Sequence, residues 1–236
     1  MTTPMKNACL LRRRTAIIVV VIGVLLGSIT VSLFRQVCTR EKKENCYRDL
    51  LAFSFRVEQN IPDNAVVFIG DSLIQGLCVA AVTPYAVNLG IGRDTTAGVL
   101  QRISRYSELK RAGAVVLLVG VNDVIQGHRQ GTVDRYKTIL QMIPDTVTMV
   151  LCALLPVDER VTTKVQNRDI VSINAAMKAA CMHKGNCRYF DSTEKLIDFS
   201  GNLKAQYHIG DGIHLNRQGY EIWIAGIKPF LSDFAP

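Results

Sequence analysis

AVVFIG at residues 65–70, followed directly by Asp71, Ser72 and Leu73, is an apolar run without polar alternation, closed by a glycine and a helix-capping pair. A strand with one face in water alternates apolar and polar residues, whereas a strand covered on both faces reads as an unbroken apolar run. The same signature recurs in YAVNLG (85–90), AVVLLVG (114–120), TVTMVLCALLP (146–156) and CRYFD (187–191), each bounded by Gly, Pro or Asp. Helical stretches intervene at 95–107, 132–143 and 166–183. A last helix is expected from near Asn216, with Tyr220, Ile222, Trp223, Ile224 and Ile227 on its apolar side. Strand and helix alternate throughout, and right-handed crossovers place helices on both faces of a parallel sheet. The pattern therefore predicts an α/β fold, a three-layer α/β/α sandwich around about five parallel strands.

Upstream of this alternation, 35–60 reads as a charged connector passing into a helix with Tyr47, Leu50, Leu51, Phe53, Phe55 and Val57 as apolar contacts. Pro62 and Asp63 break that helix, so the folded domain is expected over 61–236. Earlier still, Thr15 to Phe34 runs TAIIVVVIGVLLGSITVSLF without a charge, between Arg12, Arg13 and Arg14 on one side and Arg35 on the other. At about 1.5 Å per residue such a helix is roughly 30 Å long, enough to span a bilayer. The run exits into Phe34, Arg35 and Gln36 rather than small residues, which argues against a cleaved secretory signal. The expectation is a basic tail over 1–14, a transmembrane anchor over 15–34, and the membrane as a partner through it. The basic residues flanking the span tie in number, but the tight arginine cluster and short N-terminus favour N-inside, with the C-terminal domain on the outer (periplasmic or extracellular) face.

The chain of 236 residues is 48% hydrophobic and 20% charged, with 17 Gly and 7 Pro, which excludes disordered, collagenous and low-complexity classes. Its net charge of +8 is concentrated at the start. Residues 1–34 hold four Lys or Arg and no acid, leaving 24 basic against 20 acidic residues in the remainder. No basic block interleaves with aromatics, so no nucleic-acid partner is expected. Of seven cysteines, Cys181 with Cys187 and Cys38 with Cys46 are spaced to close small loops, while Cys78 and Cys152 are expected as small buried apolar side chains. No Cys-x-x-Cys or His-x-x-x-His spacing is present, and no metal is expected.

In parallel α/β sheets, ligands bind beyond the carboxyl ends of the strands. The polar clusters fall there: Gly70-Asp71-Ser72-Leu73, Asn88-Leu89-Gly90, Gly120-Val121-Asn122-Asp123, and Asp211-Gly212-Ile213-His214-Leu215-Asn216 before the last helix. Each alone is a common turn or cap; together they hold the parts needed for acyl transfer. A serine hydroxyl attacks a carbonyl only if an imidazole takes its proton, which assigns Ser72 as nucleophile and His214 as base. Asp211, three residues earlier, can fix the ring's tautomer. Negative charge on the attacked oxygen needs preset donors, for which the N–H groups of Ser72 and Gly90 and the side-chain amide of Asn122 are candidates. Asp71, adjacent to Ser72, is expected to point away and cap the helix, and Asp123 to be structural. His128, His183 and His208 lack an Asp-x-x-His setting and are expected in surface or loop roles. Arg93, three residues past Gly90, is a candidate contact for an anionic substrate group.

GDSL at 70–73, Asn88-x-Gly90 continuing as IGRDTT, GVND at 120–123 and DGIHLN at 211–216 together resemble the SGNH, or GDSL-type, esterase and lipase superfamily, across 65–230. The resemblance is greatest to the compact branch with platelet-activating-factor acetylhydrolase-like and lysophospholipase-like members. It implies a flavodoxin-like α/β/α fold and cofactor-free hydrolysis of esters or thioesters through an acyl-serine intermediate. Its serine, glycine, asparagine, histidine and aspartate fall on Ser72, Gly90, Asn122, His214 and Asp211. The expected activity is that of a membrane-tethered serine esterase acting on small acyl groups of lipid or acylated glycan. Carbohydrate O-deacetylation, acyl transfer to an alcohol, and a catalytically silent binding module of the same fold are the alternatives.

Overall fold

A computed structural model of the chain describes residues 28, 32–42 and 44–234. The chain divides between Asp49 and Leu50 into two compact units. In the first, residues 32–42 and 44–49 are helical, and Arg40 and Glu44, one turn apart, form an ion pair at 2.8 Å. The structure corrects the expected anchor. Residues 15–34 lie outside the described residues except for 28 and 32–34, and among the described residues no helix is long and apolar enough to cross a membrane. The single-pass topology, the membrane as a partner and the outer-face placement that rested on the anchor find no support.

The second unit begins with helix α1 (50–58), whose Ser54 and Glu58 are buried one turn apart. Five parallel strands follow, β1 (Val66–Gly70), β2 (Ala86–Gly90), β3 (Ala114–Leu118), β4 (Thr148–Cys152) and β5 (Cys187–Phe190), in the sheet order β2-β1-β3-β4-β5. The central strands β1 and β3 are buried along their whole length, which is why their sequences are unbroken apolar runs. β2 and β5, at the edges, are only half covered.

The connecting helices are α2 (Ser72–Gln75), α3 (Thr96–Ile103), α4 (Val121–Ile125), α5 (Thr132–Met142), α6 (Asn167–Met182), α7 (Thr193–Leu196) and α8 (Arg217–Ile227). α3, α5 and α6 pack in series, as right-handed crossovers on one face require. α8 returns to set Trp223 against Phe190, ring centroids 5.4 Å apart and nearly perpendicular. Chain direction across the sheet reverses at β1, because β2 lies to one side of it and β3 to the other. That reversal opens a crevice above the ends of β1 and β3.

Cys181 at the end of α6 is disulfide-bonded to Cys187 at the start of β5, with Cα atoms 5.3 Å apart. Cys38 and Cys46 are both free thiols, so the second small loop is not closed. Cys152 is buried in β4 as expected, whereas Cys78 is exposed. It lies in the surface bend that leaves α2, where no second layer covers it.

Candidate active site

Ser72 sits where β1 stops and α2 starts. The turn is tight enough that a Cβ on Gly70 would lie 2.1 Å from the Leu118 carbonyl oxygen, so only glycine fits. Asp71 caps α2, its Oδ1 accepting the Leu73 N–H at 3.0 Å. The Tyr220 hydroxyl on α8 donates to the Leu73 carbonyl at 2.8 Å and ties the same turn to the C-terminal helix. Among the described residues no acceptor takes the Ser72 N–H.

Ser72 Oγ lies 2.8 Å from His214 Nε2, across 142 positions of sequence. On the far side of the ring, His214 Nδ1 lies 2.5 Å from Asp211 Oδ2. The other carboxylate oxygen of Asp211 accepts the N–H groups of Ile213 at 3.0 Å and His214 at 2.9 Å, so the acid is fixed to the loop that carries the imidazole. Burial opposes the charge on Asp211, but the His214 ring and these two N–H groups outweigh it and hold the carboxyl below its ordinary value. An ionised Asp211 draws the ring proton to Nδ1 and leaves Nε2 as acceptor for the Ser72 hydroxyl. A hydroxyl, imidazole and carboxylate in series at these distances can pass a proton from oxygen to nitrogen as a new bond forms.

The model of the GDSL-like lipase/acylhydrolase family matches residues 68–222. This chain belongs to that family. Family membership and the Ser72–His214 hydrogen bond make it a serine hydrolase acting on ester bonds. No curated protein sequence matches the chain. Solved structures share the fold of this GDSL-like hydrolase. A Streptococcus pneumonia protein provisionally described as a platelet activating factor is 20% identical, with a TM-score of 0.72 over 78% of this chain and 92% of the other. A GDSL-like lipase from Bacteroides thetaiotaomicron is 20% identical with a TM-score of 0.62 over 72% and 88%. The lipase/acylhydrolase of Enterococcus faecalis is 19% identical with a TM-score of 0.61 over 72% and 96%.

The remaining expected residues of the hydrolase divide. Asn122, in the first turn of α4, uses one amide proton on the Asp94 carbonyl at 2.9 Å, and the second is left to point elsewhere. Gly90 is the last residue of β2. Its N–H donates to Asn88 Oδ1 at 2.8 Å, and a Cβ there would lie 2.3 Å from the Gln75 backbone nitrogen. The missing side chain thus serves the packing of β2 against α2.

Two residues on, a Cβ on Gly92 would lie 3.9 Å from Ser72 Cβ, so the turn at Gly92 and Arg93 borders the serine. Arg93 holds φ at +69°, a left-handed backbone that costs a non-glycine residue of order 1 kcal/mol, and its side chain is exposed. Asp94 within this turn is clamped by the buried guanidinium of Arg102, Nε to Oδ2 at 2.8 Å. Gly90 is the last residue of β2, whereas Gly92 lies in the turn that follows it, a division that sequence spacing does not disclose.

Asp123 is structural as expected: buried, it accepts from the Thr96 N–H at 2.9 Å, the Thr96 hydroxyl at 2.6 Å and Arg135 at 3.0 Å. His128 and His183 are exposed, whereas His208 is buried.

Asp71 has a consequence for stability. Burial pushes its carboxyl up to about 7 from 3.8, with Asp94 adding to the rise and the Leu73 and Gly120 N–H groups and His214 opposing it. Between those values the folded chain keeps a proton that the unfolded chain has released. Asp71 therefore contributes stability that is full below about pH 4 and lost as pH rises through about 7. Asp71→Asn keeps an oxygen for Leu73 and cannot ionise, so its thermal midpoint should gain on the native protein as pH rises from 4 to 8. Parallel midpoint curves for the two proteins would contradict this assignment.

Proposed function

We propose that the protein hydrolyses carboxylic esters or thioesters of small acyl groups through an acyl-serine intermediate, with 61–236 as the hydrolase domain. The observation that carries the reading is the unbroken series Ser72 Oγ, His214 Nε2, His214 Nδ1, Asp211 Oδ2 at 2.8 and 2.5 Å.

Ser72 Oγ attacks the ester carbonyl carbon as its proton passes to His214 Nε2. The carbonyl oxygen becomes an oxyanion, taken up by the Ser72 N–H, by the second amide proton of Asn122 and by the N–H groups of the Gly92–Arg93 turn, which have no acceptor among the described residues. Gly90 can join this set only by giving up its bond to Asn88. His214 then hands its proton to the leaving alcohol or thiol as the carbonyl bond to it breaks. Water repeats the sequence on the acyl-serine and frees the acid and the Ser72 hydroxyl.

The preference for small acyl groups rests on what lies behind the serine. Leu73, Ile74, Leu118, Leu215 and Trp223 belong to the buried core, with Tyr220 packed against it, so a long chain has no open berth in that part of the core. Nitrophenyl acetate should be hydrolysed faster than the corresponding decanoate, and the reverse order would overturn the acyl-size reading. The exposed Arg93 guanidinium is proposed to meet an anionic group on the substrate. Arg93→Ala should raise KM for anionic esters and leave neutral ones unchanged; an equal effect on both would remove that role.

Asp211→Asn tests the orienting acid. The amide preserves shape but no longer selects the productive tautomer, and in a triad of this kind the loss in kcat is about 10⁴-fold. A loss under tenfold would show that the carboxylate does not orient His214.

A further inference from the structure

Behind the His214 loop lies a second histidine and carboxylate that the mechanism does not use. His208 is 6% exposed, and it bridges Leu215 across the base of the loop. Its Nδ1 accepts two backbone N–H groups, from Gly210 at 3.0 Å and from Gly212 at 3.1 Å. A ring nitrogen that accepts two donors carries no proton, so the proton of the neutral ring is on Nε2. Nε2 faces Asp158 Oδ2 at 3.5 Å and has no nearer partner.

Asp158 is itself held by Arg160 and by Gly212. Arg160 grips it through Nε at 2.7 Å and Nη2 at 3.0 Å, and the Asp158 N–H donates to the Gly212 carbonyl at 2.8 Å. The hydrogen bond and charge of Arg160 keep its carboxyl below the ordinary value. The two N–H groups that bond to His208 belong to the residues on either side of Asp211, and both glycines have positive φ, 103° at Gly210 and 76° at Gly212. A Cβ on Gly212 would lie 3.0 Å from the Asp158 carbonyl oxygen, so the loop is seated on this pair with no slack. With its neighbours' N–H groups turned inward to His208, Asp211 has its carboxylate turned the other way, to His214.

We propose that His208 is a positioning residue for the hydrolysis: its Nδ1, used purely as an acceptor, holds the N–H groups of the two residues on either side of Asp211 and so fixes the carboxylate against His214, with Asp158 and Arg160 holding the ring from behind. This rests on the reading of Asp211 and His214 given above. A displacement of about 1 Å in such a group costs up to about 100-fold in rate.

The substitutions that separate the role from simple packing are His208→Asn, whose Oδ1 can occupy the place of Nδ1 and accept the same N–H groups, and His208→Gln, whose amide reaches only the place of Nε2. In the full chain with nitrophenyl acetate, the Asn variant should keep kcat near native. The Gln variant should lose about 10- to 100-fold in kcat with KM little changed. Because the loss acts through Asp211, it should nearly vanish when Gln is introduced into Asp211→Asn, while the drop in thermal midpoint persists.

Equal kcat losses in the two backgrounds, or an Asn variant as impaired as Gln, would overturn the positioning role and leave the triad reading standing. An unimpaired Asp211→Asn single variant would instead sink the triad reading, and the proposal with it. If Gln does not fold, imidazole nitrogen resonances of the native protein decide: His208 protonated on Nε2 supports the role, and protonation on Nδ1 overturns it.

Discussion

Replacing Ser72 with alanine is expected to lower kcat on nitrophenyl acetate by about 10⁶-fold, the scale seen when a serine nucleophile is removed from a working triad. The reason is local. Without Oγ the imidazole at 214 has no proton to take, and the only path left is direct attack by water on an ester held among the N–H donors. Those donors remain, so a residual rate about 10³- to 10⁴-fold above the reaction in water should persist. His214→Ala should be nearly as damaging, because an unassisted serine hydroxyl is a weak nucleophile at neutral pH. The double variant should be no worse than either single one, since the groups act as one unit. Labelling by a fluorophosphonate, which needs an activated hydroxyl, should disappear in Ser72→Ala. Turnover within tenfold of native in that variant would end the acyl-serine mechanism.

The sheet was legible in sequence for a physical reason, and the same reason limits what else could be read. Val66–Ile69 and Val115–Leu117 are covered on both faces, and a doubly covered strand has no polar positions to obscure it. The four polar clusters were legible because parallel strands all end on one side, so residues far apart in the chain share a rim. Ser72, His214 and Asp211 are proposed as the working set on that ground, and hydrogen bonds link the three. What the rim does not disclose is direction. Gly90 and Gly92 lie two positions apart, but only the folded chain shows Gly90 packed on the Gln75 backbone and Gly92 beside Ser72. His208 was read as a bland loop residue because its acceptor role exists only once Gly210 and Gly212 have folded back on it. Cys78 was expected inside because thiols bury well, yet its place in the chain is a surface bend. The run over 15–34 was judged on hydropathy and length, which measure capacity to span and say nothing of what the described residues of that helix meet.

The least legible residue of all is Arg102, and it carries the second large effect. On sequence it is a helix-surface arginine near the end of α3, yet it is 1% exposed. Its Nε donates to Asp94 Oδ2 at 2.8 Å, Nη1 to the Leu89 carbonyl at 2.7 Å and the Tyr106 hydroxyl at 2.8 Å, and Nη2 to the Gly70 carbonyl at 3.0 Å. One planar fork thus ties the last turn of β1 and the end of β2 to the turn that borders Ser72. Arg102→Met keeps the stem and removes the fork, leaving a buried carboxylate without its cation and the Leu89 carbonyl without that donor, while the Gly70 carbonyl keeps the Ile91 N–H at 2.9 Å. Breaking a buried pair from one side costs about 3–5 kcal/mol. In a domain of this size that corresponds to a fall in thermal midpoint of roughly 6–20 °C. Asp94→Asn introduced into the same chain should recover part of the loss, because the charge left stranded is then gone. Recovery of stability without recovery of kcat would follow if the fork's second task is to hold the 91–95 turn over the serine, since an Asn at 94 restores neutrality and not the tether to Leu89 and Gly70. A midpoint within about 2 °C of native in Arg102→Met would mean that water or a rearranged turn satisfies Asp94, and the tether would carry neither stability nor geometry.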